Sequence, residues 1–190
     1  FGGWSLLEKT LHRIKSSIFD YPIISTNIIY LKKEKSYLKK FKIKKNKIIV
    51  EPLKRNTAPA ILASSLIKDI PRKQPLIFFP ADHLIENVKL FNKIIHKNKM
   101  YLNNKNIFVF GVKPTSASTE YGYFVTKKNI NKVTSFFEKP NVLKAKKIIK
   151  KNGYWNSGIF LFRKDSIINN FIKIQPKIYK NCFASVSKAK

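Results

Sequence analysis

Carboxylates and other polar side chains follow apolar runs at several points of this sequence. Glu51 ends the run at residues 47–50, and Asp82 comes shortly after the run at 76–79. A later run ends in Glu138, with a lysine directly after it. In α/β proteins, ligands bind beyond the carboxyl ends of the strands. The pattern therefore indicates a site for a phosphorylated ligand at one edge of a sheet.

Asp82 is the candidate metal ligand. A carboxylate at the carboxyl end of a buried strand can hold Mg²⁺ against the phosphates of a nucleotide, because this ion takes one or two protein carboxylates and completes its shell with phosphate and water. The alternative is that Asp82 caps the turn into the next helix. The spacing alone does not decide between the two roles.

Glu51 and the segment after it are candidates for nucleotide binding. A carboxylate can accept hydrogen bonds from both N1–H and the 2-amino group of guanine, although Glu51 could instead be a turn residue before Pro52. Free N–H groups at a helix N-terminus favour anions, but Asn56 or Thr57 could equally be an ordinary N-cap. The residues that join this strand to the helix are Arg55, Asn56, Thr57, Ala58 and Pro59.

Three later segments carry groups that suit a sugar phosphate. Glu138 can accept from sugar hydroxyls while Lys139 meets a phosphate as a compact charge. A surface ion pair, worth little energetically, is the alternative for these two residues. Asn156 offers both a donor and an acceptor, and Gly122 allows close backbone approach. For Asn156 and Gly122 the alternative is turn chemistry beside core aromatics.

Strands alternate with helices along the chain, which predicts a parallel sheet with helices on its faces. Helical spacing and capping signals predict helices at residues 6–14, 27–40, 58–70, 88–101, 141–151 and 164–179. Apolar runs predict strands at 22–25, 47–50, 76–79, 106–112, 121–126, 132–138 and 158–162. A turn is predicted at Lys128 and Asn129.

The composition is that of a globular protein with a strong positive charge. A chain of 190 residues, 44% of them hydrophobic, suits one domain. The formal net charge of +29 raises the question of nucleic-acid binding. Nearly all of this charge comes from lysines spread along the chain. Proteins that recognise bases or bind phosphates in a bidentate manner favour arginine for these contacts. We therefore expect no specific nucleic-acid ligand.

Cysteine usage and hydropathy indicate the compartment. The single cysteine, Cys182, excludes a disulfide framework and a cysteine metal site, and is consistent with a reducing cytoplasm. No apolar run approaches the roughly 18 residues of a membrane span. The sequence predicts a cytoplasmic protein without a membrane partner.

Taken together and in this order, these segments resemble the sugar-nucleotide pyrophosphorylases, most closely the mannose-1-phosphate guanylyltransferases. The resemblance extends from about residue 3 to about residue 180 and is carried by residues 51–59, 80–83, 110–115, 121–123, 137–140 and 155–162. It implies a Rossmann-like nucleotidyltransferase fold of the α/β class, with a mixed, mostly parallel sheet and helices on both faces.

The resemblance implies transfer of GMP from GTP to mannose 1-phosphate, with Mg²⁺ as cofactor and GDP-mannose and pyrophosphate as products. The residues implied for catalysis are Asp82, which would bind the metal, and Lys139, which would bind the sugar phosphate. Those implied for the mannose are Gly122, Glu138 and Asn156. Those implied for the nucleotide are Glu51, Arg55, Asn56, Thr57, Ala58 and Pro59.

Two parts of the family pattern do not occur within residues 1–190. They are a Gly-rich loop expected before residue 1 and a second metal-binding aspartate expected after residue 190. The chain is therefore expected to be a partial nucleotidyltransferase domain that is inactive alone. A relative using another sugar 1-phosphate and a catalytically inactive sugar-nucleotide-binding subunit stay open as alternatives, as does homo-oligomer formation.

Overall fold

The computed structural model describes residues 3–52, 56–127 and 132–189, so the turn predicted at Lys128 and Asn129 lies outside it. The helices are α1 (Leu6–Arg13), α2 (Ile28–Lys40), α3 (Thr57–Ser65), α4 (Val88–Lys99), α5 (Val142–Lys150), α6 (Lys164–Ile174) and α7 (Pro176–Lys188). The strands are β1 (Ile23–Asn27), β2 (Lys47–Glu51), β3 (Pro75–Phe78), β4 (Ile107–Val112), β5 (Tyr123–Lys127), β6 (Lys132–Phe137) and β7 (Tyr154–Arg163). The predicted mixed α/β class is confirmed. Within the described residues, no helix has the length and apolar character needed to cross a bilayer.

The chain divides into two compact units. The first comprises Phe1–Ile107 and Leu161–Lys190, and the second comprises Phe108–Phe160. In the first unit, β1 and β2 form a parallel pair in which Asn27 lies opposite Glu51. In the second unit, β5 lies between β6 and β7 and is antiparallel to both.

The first helix begins with the predicted capping box. The Ser5 hydroxyl accepts a hydrogen bond from the Glu8 N–H at 3.3 Å, and the Glu8 carboxylate accepts from the Ser5 N–H at 2.8 Å. The same carboxylate pairs with Lys40 Nζ at 2.6 Å, at the end of α2. Leu11 and Leu38 belong to one buried apolar cluster beneath these two helices. The cap therefore also ties α1 to α2.

The second unit has its own core. Tyr123 of β5 is fully buried and forms a cluster with Ala145 and Ile148 of α5. Phe137 and Trp155, which are partly buried, pack against this cluster. Apolar residues at helical spacing on α5 thus cover one side of the β5 strand.

The end of α3 differs from its prediction. The helix was predicted to continue to residue 70 but ends at Ser65. The carbonyl oxygens of Ile67 and Ile70 instead accept hydrogen bonds from the buried ammonium group of Lys164, at 2.6 and 2.7 Å. A lysine far along the sequence therefore holds this segment in a non-helical conformation.

Two later boundaries also differ. The helix predicted over 164–179 is two helices, because Pro176 has no N–H to donate and its ring would clash with the preceding turn. The last strand begins at Tyr154, earlier than predicted, because Trp155 pairs with Tyr123 of β5. The polar residues that were expected before this strand consequently lie inside it.

We expect Gly153→Ala to destabilise the protein. A Cβ at this position would lie 2.3 Å from Ile148 Cγ2 and 2.9 Å from the Ile148 carbonyl oxygen, at the end of α5. The free energy of unfolding, measured with urea, should fall by about 1–3 kcal/mol. Asn152→Gly is the control: Asn152 has a φ of 54°, which glycine adopts without strain, so this variant should match the original chain. Equal stability of Gly153→Ala and the original chain would contradict the packing described.

Stability should depend on Glu8 at low pH. Hydrogen bonds from Lys40, and then from the backbone and hydroxyl of Ser5, lower the pKa of the Glu8 carboxyl to about 2. An unfolded glutamate has a pKa of about 4.3, so the contribution of Glu8 is complete above that pH and is lost as the pH falls towards 2. Urea midpoints measured across this window should decline less for Glu8→Gln than for the original chain. Parallel declines would show that this carboxylate is not involved.

Candidate functional site

Glu51 is held by the strand beside it. It is the last residue of β2 and is half-buried, and its carboxylate accepts a hydrogen bond from the Ser25 hydroxyl of β1. Asn27 Nδ2 donates to the Glu51 carbonyl oxygen at 3.3 Å. No local sequence pattern marks Ser25 or Asn27, because their contacts with Glu51 exist only once β1 and β2 pair in this register.

The backbone N–H groups at the start of α3 are free to donate hydrogen bonds to a ligand. Asn56 occupies the N-cap position with an extended backbone, but its side chain makes no capping hydrogen bond. Thr57 and Ala58, which follow in the first turn, are exposed, and first-turn N–H groups have no partner within a helix. Pro59 is the third residue of the helix, where its missing N–H costs nothing. Arg55 lies outside the described residues.

Asp82 lies in an exposed turn after β3. The helix that follows, α4, has Asn87 as its N-cap, and Asn87 Oδ1 accepts from the Leu90 N–H at 2.9 Å. Asp82 is therefore not the cap of this helix, which was the alternative to metal binding. Its carboxylate is accessible to a ligand.

A metal at Asp82 would need ligands from the substrate. Among the described residues, no group of three or more His, Cys, Asp or Glu side chains could hold a metal ion. One exposed carboxylate fits an ion such as Mg²⁺, which takes few protein ligands and fills its shell with phosphates and water. It does not fit an ion that requires a cage of side chains.

A cavity of about 1150 Å³ lies within the first unit. Glu51 and Ser25 contribute to its lining, which otherwise consists largely of apolar side chains such as Leu11, Ile77 and Phe79. A triphosphate needs cations and hydrogen-bond donors, whereas two of the three lysines in the lining, Lys45 and Lys47, pair with Asp20 and Asp69. We therefore do not assign the cavity to the nucleotide.

Three of the predicted sugar-binding residues lie together in the second unit. The Gly122 carbonyl oxygen accepts a hydrogen bond from the Asn156 N–H at 2.7 Å. A Cβ at position 122 would lie 3.1 Å from Glu138 Oε2 and 2.9 Å from Phe136 Cζ. Gly122 is thus in contact with Asn156 on one strand and leaves room for the Glu138 carboxylate beside it.

Lys139 has an unusual backbone conformation. Its φ is 40°, a left-handed value that residues with a Cβ adopt rarely and that concentrates at functional sites. Because β6 ends at Phe137, the side chains of Glu138 and Lys139 are not constrained to point to opposite faces of a sheet. Both side chains are exposed. The ion pairs within the described residues do not include Glu138 with Lys139. The surface ion pair considered as an alternative is therefore not formed.

The Asn156 side chain is oriented by its own strand. Asn156 Oδ1 accepts from the Gly158 N–H at 3.1 Å, which leaves the Nδ2 group as a donor for a ligand. Tyr121 and Trp155, the residues that precede Gly122 and Asn156, pack their rings together with centroids 4.9 Å apart. Carboxylate, amide and aromatic groups in one cluster are typical of a carbohydrate site.

Comparison with known proteins identifies the family. The model of the nucleotidyl transferases matches residues 1–190. The chain belongs to this family.

Curated relatives of this nucleotidyl transferase are named as mannose-1-phosphate guanylyltransferases or as alginate biosynthesis proteins. The chain is 34% identical to the mannose-1-phosphate guanylyltransferase RfbM of Salmonella typhimurium, over 97% of the chain and 40% of the relative. It is 30% identical to the alginate biosynthesis protein AlgA of Pseudomonas fluorescens, over 99% of the chain and 41% of that protein. The chain thus spans about two fifths of the length of these relatives.

Solved structures of similar proteins have the same fold. A mannose-6-phosphate isomerase structure from Helicobacter pylori superposes with a TM-score of 0.90 at 30% identity, covering 100% of the chain and 73% of that structure. A Thermus thermophilus structure described as a mannose-1-phosphate geranyltransferase has a TM-score of 0.83 at 24% identity, covering 100% of the chain and 56% of that structure. This nucleotidyl transferase therefore has the Rossmann-like fold that was predicted.

Proposed function

We propose that the full-length protein transfers GMP from GTP to mannose 1-phosphate, forming GDP-mannose and releasing pyrophosphate. The observation that carries the proposal is the meeting of Gly122, Glu138 and Asn156 in one cluster of a chain 34% identical to a mannose-1-phosphate guanylyltransferase. The two other readings, a different sugar 1-phosphate and an inactive binding subunit, become outcomes of the test.

The second unit would hold the sugar phosphate. In this proposal Glu138 accepts from the mannose hydroxyls, Asn156 Nδ2 donates to one of them, and Gly122 gives the ring room beside the backbone. Lys139 pairs with the phosphate of mannose 1-phosphate, one oxygen of which attacks the α-phosphorus of GTP as pyrophosphate leaves. Positioning of the two substrates then supplies most of the rate enhancement.

The first unit would hold the nucleotide. Glu51, oriented by Ser25, accepts hydrogen bonds from N1–H and the 2-amino group of guanine. The free N–H groups at the start of α3 lie along the nucleotide and favour the negative charge of its phosphates, and Arg55, which precedes them in the sequence, adds a positive charge. Asp82 would hold Mg²⁺, which when bound would neutralise part of the phosphate charge. We also propose a cytoplasmic location, consistent with the single cysteine, and no specific nucleic-acid or membrane partner.

Pyrophosphate release tests the proposal. The full-length gene product should prefer GTP over ATP and UTP, and mannose 1-phosphate over glucose 1-phosphate. Asp82→Asn and Lys139→Met should each lower kcat/KM by about 100-fold or more, because the first weakens the binding of Mg²⁺ and the second removes the cation that pairs with the phosphate of mannose 1-phosphate. Lys146→Met, which removes an exposed lysine of α5, is the matched control and should leave kcat/KM unchanged.

Each contrary outcome has a distinct meaning. GDP-mannose binding without pyrophosphate release from any substrate pair would overturn the transferase and identify an inactive binding subunit. Equal rates with glucose 1-phosphate would overturn the assignment of mannose. Residues 1–190 on their own, assayed in parallel, are expected to release no pyrophosphate.

Gly122→Ala should affect the sugar phosphate selectively. Its Cβ would crowd Glu138 Oε2, so the KM for mannose 1-phosphate should rise about tenfold while the KM for GTP stays the same. If the effect passes through the Glu138 carboxylate, the Gly122→Ala/Glu138→Gln double variant should be no worse than Glu138→Gln alone. Fully additive losses would show that Gly122 acts independently of Glu138.

A further inference from the structure

The turn that carries Asp82 is bonded to α1 on both sides of that residue. Thr10 Oγ1 donates to the Ala81 carbonyl oxygen at 3.1 Å, and Arg13 Nη1 donates to the His83 carbonyl oxygen at 3.4 Å. Residues three apart lie on one face of a helix. One face of α1 therefore holds the two carbonyl groups that flank Asp82.

The two hydrogen bonds are linked to each other. Arg13 Nη2 donates to Thr10 Oγ1 at 3.1 Å, so the hydroxyl that donates to the Ala81 carbonyl also accepts from the guanidinium. The hydrogen bonds to the Ala81 and His83 carbonyl oxygens consequently both depend on the Arg13 side chain. Lysine would not replace it, because a single ammonium group cannot direct donors along two fixed directions as the planar guanidinium does.

Arg13 is buried, and its cost of burial is not offset by an acidic partner. The residue is 4% exposed, and its guanidinium lies 5.1 Å from the centre of the Phe79 ring and 5.7 Å from that of Phe91. In the part of the chain that the structure describes, no ion pair includes Arg13, and its Nε atom is buried without a hydrogen-bond partner. This desolvation lowers the pKa of the guanidinium.

Packing alone does not require a guanidinium at this position. An apolar side chain of similar volume would fill the space between the two rings at lower cost, because it carries no charge to desolvate. The hydrogen bonds to Thr10 and to the His83 carbonyl are what an apolar residue would lose. The rings, in turn, fix the plane of the guanidinium from which these bonds extend.

We infer that Arg13 is a positioning residue for Asp82: directly through His83, and through Thr10 at Ala81, it fixes the backbone that presents the exposed carboxylate. The inference rests on the proposed function for the identity of the reaction, whereas the contacts that hold the turn are independent of it. Thr10 is the second member of this arrangement.

The test compares Arg13→Lys with the unchanged full-length protein by two measurements. Amide hydrogen exchange of residues 81–84 should rise about tenfold or more, as expected for the loss of a hydrogen bond from a charged donor. In the pyrophosphate assay, the Mg²⁺ concentration for half-maximal rate should also rise about tenfold, with the KM for mannose 1-phosphate unchanged. Thr10→Val should change both quantities in the same direction but less, since the bond from Arg13 to His83 remains.

Arg163→Lys is the matched control. The guanidinium of Arg163 belongs to the first unit but pairs with Asp165 instead of the turn. This variant carries the same substitution of arginine by lysine, so neither the amide exchange of residues 81–84 nor the Mg²⁺ dependence of the rate should change. In the Thr10→Val/Arg13→Lys double variant the losses should be less than additive, because Arg13 acts partly through Thr10.

The outcomes separate the two proposals. Unchanged exchange and unchanged Mg²⁺ dependence in Arg13→Lys would overturn the role of Arg13. So would exchange that rises as much throughout α1 and α4 as in the turn, because that shows a general loss of packing. If the unchanged protein releases no pyrophosphate, the proposed function fails, and the exchange data still decide the role of Arg13. If Arg13→Lys does not fold, Thr10→Val answers the same question.

Discussion

One backbone hydrogen bond determines the geometry of the cluster formed by Gly122, Glu138 and Asn156. The Asn156 N–H donates to the Gly122 carbonyl oxygen at 2.7 Å and joins β7 to the residue before β5. Because Gly122 has no Cβ, the Glu138 carboxylate lies close to the same point. Three groups from separate parts of the second unit therefore converge without any side chain having to reach far.

Glu51 and Asp82, two acidic residues of the first unit, follow a related principle. In each case a neighbouring element holds the backbone: β1 bonds the Glu51 carbonyl through Asn27, and α1 bonds the carbonyls beside Asp82. The carboxylate of Asp82 stays exposed, whereas that of Glu51 is also fixed by Ser25. Hydrogen bonds to the backbone limit the motion of an acidic residue and leave its carboxylate oxygens able to accept hydrogen bonds from a ligand.

Local signals in the sequence determined much of the fold. The capping box at Ser5 and Glu8 marked the start of α1, and apolar periodicity identified the strands and helices, because both signals involve residues close along the chain. The break between α6 and α7 could also be predicted from the sequence, because a proline at position 176 disfavours a continuous helix. The single helix predicted over 164–179 did not take this proline into account. The ordered segments that resemble the nucleotidyl transferases were likewise sufficient for the family, which the match over residues 1–190 confirms.

Contacts between distant residues were decided only by the tertiary structure. The non-helical segment after Ser65 depends on Lys164, and the orientation of Glu51 depends on Ser25 of another strand. Likewise, nothing in the sequence near Arg13 indicates that it bonds the turn containing Asp82. The sequence by itself indicated which residues are candidates for the chemistry and which elements precede them. The structure decided which side chains hold them in place, because such contacts arise from strand register and helix packing and leave no local pattern.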